Sequence, residues 1–247
     1  MVLGPTLMIT EISSLQHPLV KKWVRLRLEK EAREEEGVVL LVGEKLVRDL
    51  AKSVPLLTLI SDRARSEIAA QERYVVSEEI LRKVTGVMAP DGIAAVAALP
   101  KESSLEGKER ILVLDRISDP GNLGTLLRSA LALNWDGVFF TRGTVDPFND
   151  KALRASQGAL FFLPYAQGER FLGEENRHIY LADLEGKPLS ELKAKTPLAL
   201  ILSHEGSGPS AWAEEVAEKV TISMHNGVDS LNVASSGAIF LYAMRGT

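Results

Sequence analysis

The stretch ILVLDRISDPGNLGTLLRSALALN, residues 111–134, decides the fold of its half of the chain. Residues 111–114 are a short aliphatic run that ends in a turn signal, which predicts a buried strand. The turn is formed by residues 119–121, where proline presets φ and glycine accepts positive φ. Asn122 then stands at the N-cap position of a helix whose apolar residues recur at helical spacing from Leu123. A strand, a polar turn and a capped helix are typical of a ligand site at the carboxyl edge of an α/β sheet.

Two polar side chains of this stretch, Asn122 and Arg128, are candidate site residues. Taken alone, Asn122 is equally well explained as a helix cap, and Arg128 as a solvated helix residue. Six residues separate them, so they need not share one face of the helix.

The composition bounds the class of protein. The chain has 247 residues, of which 45% are hydrophobic, enough for a core in one large domain or two small ones. The absence of cysteine excludes disulfides, thiolate catalysis and Cys-ligated zinc. No run reaches the roughly 18 apolar residues of a membrane helix, and no signal peptide is recognised. We therefore expect a cytoplasmic protein.

The pattern along the chain predicts two α/β domains. Strands and short helices alternate over residues 10–99, including a helix over 15–36 that is interrupted near Pro18 and a helix over 62–70. Residues 100–109 are polar and lack apolar periodicity, which predicts a linker. The alternation resumes over 110–247, with a strand predicted at 161–164 and a final helix from about Leu231.

A dense basic run lies near the amino terminus: Lys21, Lys22, Arg25 and Arg27. Such a run is typical of a nucleic-acid contact surface, although the net charge of the chain is −4. A run of three glutamates follows at 34–36, so a salt-bridged surface helix is the alternative. From Lys101 onward, 19 Asp and Glu face 15 Lys and Arg. An acidic second half predicts that the first half holds any RNA.

Two further loops follow strands of the second half. In SHEGSGP, residues 203–209, paired glycines allow a sharp bend and close approach to a ligand. In HNGVDSLN, residues 225–232, Asn-Gly signals a turn, and Asp229 or Ser230 would cap the last helix with Asn232 in its first turn. The carboxyl ends of parallel strands share one edge, so all three loops are expected to converge there.

The three segments together resemble a known family. NLGTLLR (122–128), EGSG (205–208) and DSLNV (229–233) are similar, in this order, to the three motifs of the SpoU, or TrmH-like, branch of the SPOUT RNA methyltransferases. SLQHPLVK (14–21) and VGEKLV (42–47) are similar to that family's ribosomal-protein-like substrate-binding domain. The resemblance implies a small amino-terminal α/β domain and a carboxyl-terminal α/β SPOUT domain with a trefoil knot.

The resemblance also implies an activity and a partner. It implies transfer of a methyl group from S-adenosylmethionine to a ribose 2′-hydroxyl in rRNA or tRNA, without a metal and without a membrane. It implies a homodimer through the second domain, for which the last helix offers Phe240 and Leu241 as apolar residues expected to be exposed. No dinucleotide-binding, P-loop or nucleophile-elbow motif is present, and the four histidines lack metal-ligand spacing.

The family's functional positions fall on named residues of this chain. The resemblance implies five catalytic residues: Asn122, Arg128, Glu205, Ser230 and Asn232. It implies cofactor contacts from Leu202, Ser203, Gly206, Ile222, Met224, Gly227 and Leu231. A guanidinium stays protonated, so we interpret Arg128 as a fork that binds a phosphate and stabilises a developing alkoxide.

The second motif departs from the family pattern. Ser203 and His204 stand where the family has a glycine and a small residue, so a Cβ at Ser203 is expected to restrict φ or the approach of the cofactor. The alternative function is therefore a non-catalytic RNA-binding protein that retains the methyltransferase fold.

Overall fold

The computed structural model describes residues 9–173, 175–204, 206–224 and 229–245. Contacts divide it into two compact units. The first comprises the described residues as far as Pro100 together with Phe148–Arg154, and the second comprises Lys101–Pro147 with the described residues from Ala155. Within the described ranges, no helix is both long and apolar enough to cross a membrane.

The first unit is built on a mixed five-stranded sheet in the order β1-β4-β3-β5-β2. Its strands are β1 (Ile9–Ile12), β2 (Val38–Val42), β3 (Leu56–Ser61), β4 (Glu72–Val76) and β5 (Ile93–Ala98). Its helices are α1 (Pro18–Leu28), α2 (Lys30–Glu36), α3 (Glu44–Leu50) and α4 (Glu78–Thr85). Strands β1, β4 and β3 run parallel, whereas β5 is antiparallel to β3 and to β2.

Helical spacing explains how α1 joins the core of this unit. Val20, Trp23 and Leu26 lie three residues apart on one face and are all buried. The helix predicted over 15–36 is wrong in one respect: it begins at Pro18, capped by His17, and is broken at Glu29, which has an extended φ of −111°.

The helix predicted over 62–70 is wrong, because this segment forms turns. The reason is the buried side chain of Arg65, which is 3% exposed. Its guanidinium pairs with Glu44 Oε1 at 3.2 Å and with Asp62 Oδ1 at 3.3 Å. It also donates to the carbonyl oxygen of Asp91. These bonds hold the Arg65 side chain inside the unit, and the segment around it follows a turn conformation in place of a helix.

The second unit contains a six-stranded sheet in which every neighbouring pair is parallel. Its strands are β6 (Arg110–Asp115), β7 (Gly137–Thr141), β8 (Tyr165–Gly168), β9 (His178–Pro188), β10 (Leu198–Ser203) and β11 (Glu218–Thr221), in the order β11-β9-β10-β6-β7-β8. The helices of this half of the chain are α5 (Pro120–Ala132), α6 (Asp150–Ser156), α7 (Ala211–Val216) and α8 (Val233–Ala243). The prediction of an α/β fold is confirmed, and the knot stays a prediction.

Helices α5 and α8 pack together on one side of this unit. Gly237 permits the approach, since a Cβ there would meet the methyl groups of Leu126 and Leu202. The expectation that Phe240 and Leu241 are exposed is wrong: they are 2% and 0% exposed and point into this core. The exposed apolar residues of α8 are Ile239 and Tyr242.

The segment predicted as a linker, residues 100–109, makes specific contacts with the second unit. Leu105 is buried in the apolar cluster of that unit. Ser103 N donates to Tyr165 O at 2.8 Å, and the Gln167 amide donates to Glu102 Oε1 at 2.6 Å. The polar composition of the segment thus reflects hydrogen bonding along the unit's surface.

Two local predictions for the second unit are wrong. The apolar residues 161–164 do not form a strand: a 3-10 turn spans Ala159–Phe161, and the strand is β8 at Tyr165–Gly168. Helix α5 starts at Pro120, and its cap is Asp119 rather than Asn122. A proline prefers the first helical turn, where its missing N–H costs nothing.

Candidate active site

The carboxyl edge of the parallel sheet gathers the residues that the sequence motifs predict. Strand β10 pairs with β6 in register, so Ser203 lies opposite Asp115. The β6–α5 turn and the loop after β10 therefore leave the sheet side by side. This convergence is where open α/β sheets place their ligands.

A hydrogen bond joins the first and third motifs. Asn232 Nδ2 donates to Asn122 Oδ1 at 3.1 Å, across 110 residues of sequence. The bond is available because Asp119 caps α5 by accepting from Asn122 N at 2.8 Å. Asn122 thus keeps its side chain for the site.

The cap of α8 also differs from the prediction. Asn232 itself is the N-cap, and Asp229 and Ser230 precede it. Its Oδ1 accepts from Ala234 N at 2.9 Å and from Ser235 N at 3.3 Å. The amide oxygen of Asn232 therefore holds the helix, while its amide nitrogen holds Asn122.

Arg128 is exposed on α5, and it forms no hydrogen bond or ion pair with any residue of the described ranges. Its guanidinium is therefore accessible to a substrate. Glu205, the remaining catalytic candidate of the second motif, lies outside the described residues.

A cavity of about 260 Å³ lies beside the Asn122–Asn232 bond. Five predicted cofactor residues line it, namely Leu202, Ser203, Ile222, Met224 and Leu231, and so does the catalytic candidate Ser230. Gly206 is not among its described lining residues, and Gly227 lies outside the described ranges. Apolar walls of leucine, isoleucine, methionine and Phe240 with a few hydroxyls suit an adenine ring and a thioether chain. The cavity therefore fits S-adenosylmethionine.

His204 folds the loop at the mouth of this cavity. Its Nδ1 accepts from Gly206 N at 2.9 Å and from Ser207 N at 3.2 Å, and Gly208 N donates to its carbonyl. The restriction of φ expected from Ser203 is wrong, because Ser203 is a strand residue of β10 and its φ is not positive. Its expected effect on the approach of the cofactor stays a prediction. The unusual Ser-His pair thus builds the loop without backbone strain at Ser203.

A buried carboxylate that the sequence reasoning missed supports the same loop. Asp115 is 0% exposed and accepts from Thr141 Oγ1 at 2.9 Å and from Ser210 N at 2.8 Å. Its own carbonyl accepts from His204 N at 3.2 Å. The available signal was an aspartate that directly ends the aliphatic strand β6, a position where polar groups need buried partners.

One wall of the cavity was also missed by the sequence reasoning. The register between β9 and β11 shifts between Lys219 and Val220, so residues 182–186 form a bulge. Ala182, Asp183 and Leu184 of this bulge line the cavity. Gly186 was an available sequence signal of a bend, since glycine tolerates the φ of +134° that it adopts here.

Asp183 and Lys219 hold the bulge to the neighbouring strand. Lys219 Nζ lies 3.0 Å from Asp183 Oδ2. Burial acts to raise the pKa of Asp183, but the backbone N–H of Glu185 and the ammonium of Lys219 outweigh it and keep this pKa below its usual value. A charged Asp183 therefore braces the wall near neutral pH.

The basic run on α1 is mostly engaged within its own unit. Lys22 pairs with Glu36 at 2.7 Å, and Arg25 pairs with Glu29 at 3.0 Å. Arg27 donates to Val84 O at 3.0 Å, whereas Lys21 is exposed. The alternative interpretation, a salt-bridged surface helix, therefore accounts for much of the basic run. Contact between the basic run and RNA stays a prediction.

Comparison with known families identifies the family to which the chain belongs. Residues 109–242 match the model of the SpoU rRNA methylase family, and residues 17–95 match that of the MRM3-like substrate binding domain. The chain belongs to the SpoU rRNA methylase family. The matched span of the SpoU model contains all five catalytic candidates.

Relatives of this SpoU family member extend over nearly its whole length. The 23S rRNA (guanosine(2553)-2′-O)-methyltransferase RlmP of Bacillus subtilis is 34% identical over 248 residues, covering 96% of this chain and 99% of that protein. A mouse protein, rRNA methyltransferase 3, mitochondrial, is 27% identical over 282 residues, covering 85% of this chain and 68% of its own.

Solved structures of the SpoU and TrmH type share the fold. The AdoMet-bound rRNA methyltransferase from Sinorhizobium meliloti superposes with a TM-score of 0.80 at 25% identity, covering 96% of this chain and 97% of that one. An RNA methyltransferase of the TrmH family from Porphyromonas gingivalis gives a TM-score of 0.80 at 28% identity, covering 94% and 98%. This SpoU family member is an S-adenosylmethionine-dependent RNA 2′-O-methyltransferase.

Proposed function

We propose that the chain methylates the ribose 2′-hydroxyl of a guanosine in 23S rRNA. The observation that carries this proposal is the bond between Asn122 and Asn232, which sets two motif side chains beside the cofactor cavity. The choice of 23S rRNA and of guanosine is supported by the full-length similarity to RlmP, whose name states that substrate.

The proposed chemistry is a displacement at a methyl group. Leu202, Met224 and Leu231 would hold S-adenosylmethionine, which would supply a methyl group with a neutral thioether as the leaving group. The proton of the 2′-hydroxyl would pass to solvent. The residues of the chain contribute position and charge. Alignment of the ribose oxygen with the methyl group is worth several kcal/mol, up to about 7–11 in favourable cases.

The proposed role of Arg128 is electrostatic. Its accessible guanidinium fork binds the phosphate next to the target ribose and stabilises the negative charge that grows on the 2′-oxygen. Asn122 and Asn232 are proposed to orient the ribose as a pair, because their mutual hydrogen bond fixes both amide groups in one place. Ser230 lies in the cavity wall, close to the cofactor side of the same site.

The first unit is proposed to hold the RNA. Its match to the MRM3-like substrate binding domain supports this role. Lys21 is the most available of the four predicted cations, since Lys22 and Arg25 are paired with glutamates. Phosphates would compete with those exposed pairs, which contribute little in water.

The proposed function is tested with the full chain and two measurements. Calorimetry with S-adenosylmethionine should show binding, and 23S rRNA from cells that lack the protein should gain one 2′-O-methylguanosine detectable by mass spectrometry. Cofactor binding followed by methylation of another RNA would overturn the choice of substrate. RNA binding without cofactor binding at millimolar concentration would instead support the non-catalytic alternative.

We also propose that the chain forms a homodimer through the exposed apolar residues of α5 and α8. Leu131, Ile239 and Tyr242 are 36%, 43% and 57% exposed, and the two helices that carry them pack against each other. Light scattering at micromolar concentration should give about twice the chain mass of 27.0 kDa.

A substitution tests whether the apolar surface of α5 and α8 is the dimer interface. Ile239→Asp should convert the dimer to a monomer, because it places a charge in an apolar interface. Leu172→Asp is the matched control, since Leu172 is 74% exposed elsewhere in the same unit. A parent chain of monomeric mass, or equal masses for both variants, would count against an interface at α8.

A further inference from the structure

Three neighbouring strands of the second unit are each followed by an arginine. Arg116 directly follows β6, Arg142 directly follows β7, and Arg170 stands two residues after β8. These strands are adjacent and parallel, so the three arginines emerge at the same carboxyl edge that carries the active site. We call Arg116, Arg142 and Arg170 the arginine row.

Hydrogen bonds from backbone N–H groups tie two residues of the arginine row to the adjacent strands. Arg116 N donates to Thr141 Oγ1 at 3.0 Å, and Arg142 N donates to Gly168 O at 2.9 Å. Adjacent strands lie about 4.8 Å apart, so the backbone of the row extends over roughly 10 Å. The row is therefore a built feature of the sheet edge.

The row begins at the cofactor site. The Arg116 guanidinium donates through Nη2 to Gly208 O at 2.9 Å, and Gly208 lines the cofactor cavity. Arg116 has a left-handed φ of +59°, which costs a residue with a side chain about 1–2 kcal/mol. Non-glycine residues in this region cluster at functional sites.

The outer arginines are open to solvent. Arg142 is 81% exposed and pairs with Glu169, which is itself 71% exposed. Arg170 is exposed and forms no ion pair with a described residue. An exposed pair contributes at most about 1 kcal/mol, so a phosphate can replace Glu169 at little cost.

We infer that the arginine row binds phosphates of the substrate RNA and leads the strand toward the cofactor site. The inference rests on the proposed function for the identity of the substrate. Arginine suits this role because its planar fork binds phosphate oxygens through two hydrogen bonds. The second half of the chain carries more acidic than basic residues, but the arginine row is locally cationic. Local charge, and not the overall charge, governs nucleic-acid binding.

The test measures RNA affinity against salt. The double variant Arg142→Ala/Arg170→Ala is titrated with a fluorescein-labelled RNA hairpin between 50 and 200 mM potassium chloride, conditions chosen because counterion release reports phosphate contacts. The logarithm of the affinity falls as the logarithm of the salt concentration rises. Loss of two phosphate contacts should make this fall shallower, reducing the magnitude of the slope by about 1.4–1.8. Affinity at the lowest salt should fall about 10- to 100-fold.

A matched control removes the same charge from the opposite edge of the sheet. Lys193→Ala/Lys195→Ala alters two exposed lysines that precede β10 at its amino end. This variant should keep the parent slope, and both variants should keep the parent affinity for S-adenosylmethionine. An Arg142/Arg170 variant with the parent slope, or an equal loss in the control, would overturn the arginine row.

The outcome is separable from that of the proposed function. If the parent methylates rRNA but the Arg142/Arg170 variant binds the hairpin with an unchanged slope, the arginine row fails and the function stands. If the slope falls as expected but the parent never methylates RNA, the function fails and the row stands.

Discussion

Replacing Arg128 by alanine should lower the rate of methyl transfer by about 10²-fold or more. The side chain is exposed on α5, so its removal leaves the core and the cofactor cavity intact. What is lost is a cation that meets the charge developing on the 2′-oxygen. The rate is measured in single turnover with saturating S-adenosylmethionine, which isolates chemistry from binding and product release.

Arg128→Lys is the informative companion. Lysine keeps the charge but has no planar fork, so an intermediate rate is expected if Arg128 orients a phosphate as well as supplying charge. Calorimetry should give both variants the cofactor affinity of the parent, and their thermal midpoints should be unchanged. Parent-like turnover of Arg128→Ala would remove this residue from the site.

Replacing Asp115 by alanine should cost about 3 kcal/mol of stability, the largest effect expected for one side chain outside the apolar core. The carboxylate is fully buried, and Thr141 Oγ1 and Ser210 N both depend on it. Each donor left without an acceptor in the interior costs about 1–3 kcal/mol. Ser210 ends the loop that lines the cavity, so the cofactor affinity should fall about tenfold as well.

Chemical unfolding and calorimetry check both parts of this expectation. Asp136→Ala is the matched control, because Asp136 Oδ2 accepts from Arg110 N at 2.8 Å at the opposite edge of the sheet. It should cost about 1 kcal/mol, as for one hydrogen bond, and leave cofactor affinity unchanged. Equal behaviour of the two variants would contradict a specific role for Asp115 in the loop.

Local sequence patterns predicted the elements whose signals are local. The aliphatic run at residues 111–114, predicted as a buried strand, lies within β6 and is buried throughout. The helix predicted over 15–36 is present as α1 and α2, on either side of the break at Glu29. Their signals lie within the element itself: a short aliphatic run marks the strand, and apolar residues at helical spacing mark the helix.

The errors fall where distant partners decide. Arg65 replaces a helix by turns because its partners lie up to 26 residues away. The strand β8 forms at Tyr165–Gly168 because β7 offers it a ladder, and not because of its own composition. Lys22 meets Glu36 only after the chain has turned back on itself.

In the candidate site, too, the features with local sequence signals were predicted and those set by distant partners were not. Motif spacing predicted that Asn122 and Asn232 belong to one site, and the 3.1 Å bond between them agrees with it. Their caps were misassigned, because each segment offers more than one residue of the capping type. At α5 the proline after Asp119 decides between Asp119 and Asn122. Asp115 and the bulge at 182–186 could not be predicted, since each owes its role to a neighbouring strand.

That bulge gives the cofactor chamber a way to change size during evolution. Strands β9 and β11 are paired on both sides of it, so residues can be inserted or deleted between Leu181 and Lys187 without altering either ladder. Relatives with fewer or more residues in the bulge would keep the same sheet but would have a cofactor cavity of different size and shape. The same segment is the natural place to enlarge the chamber for synthetic donors that carry groups bulkier than methyl.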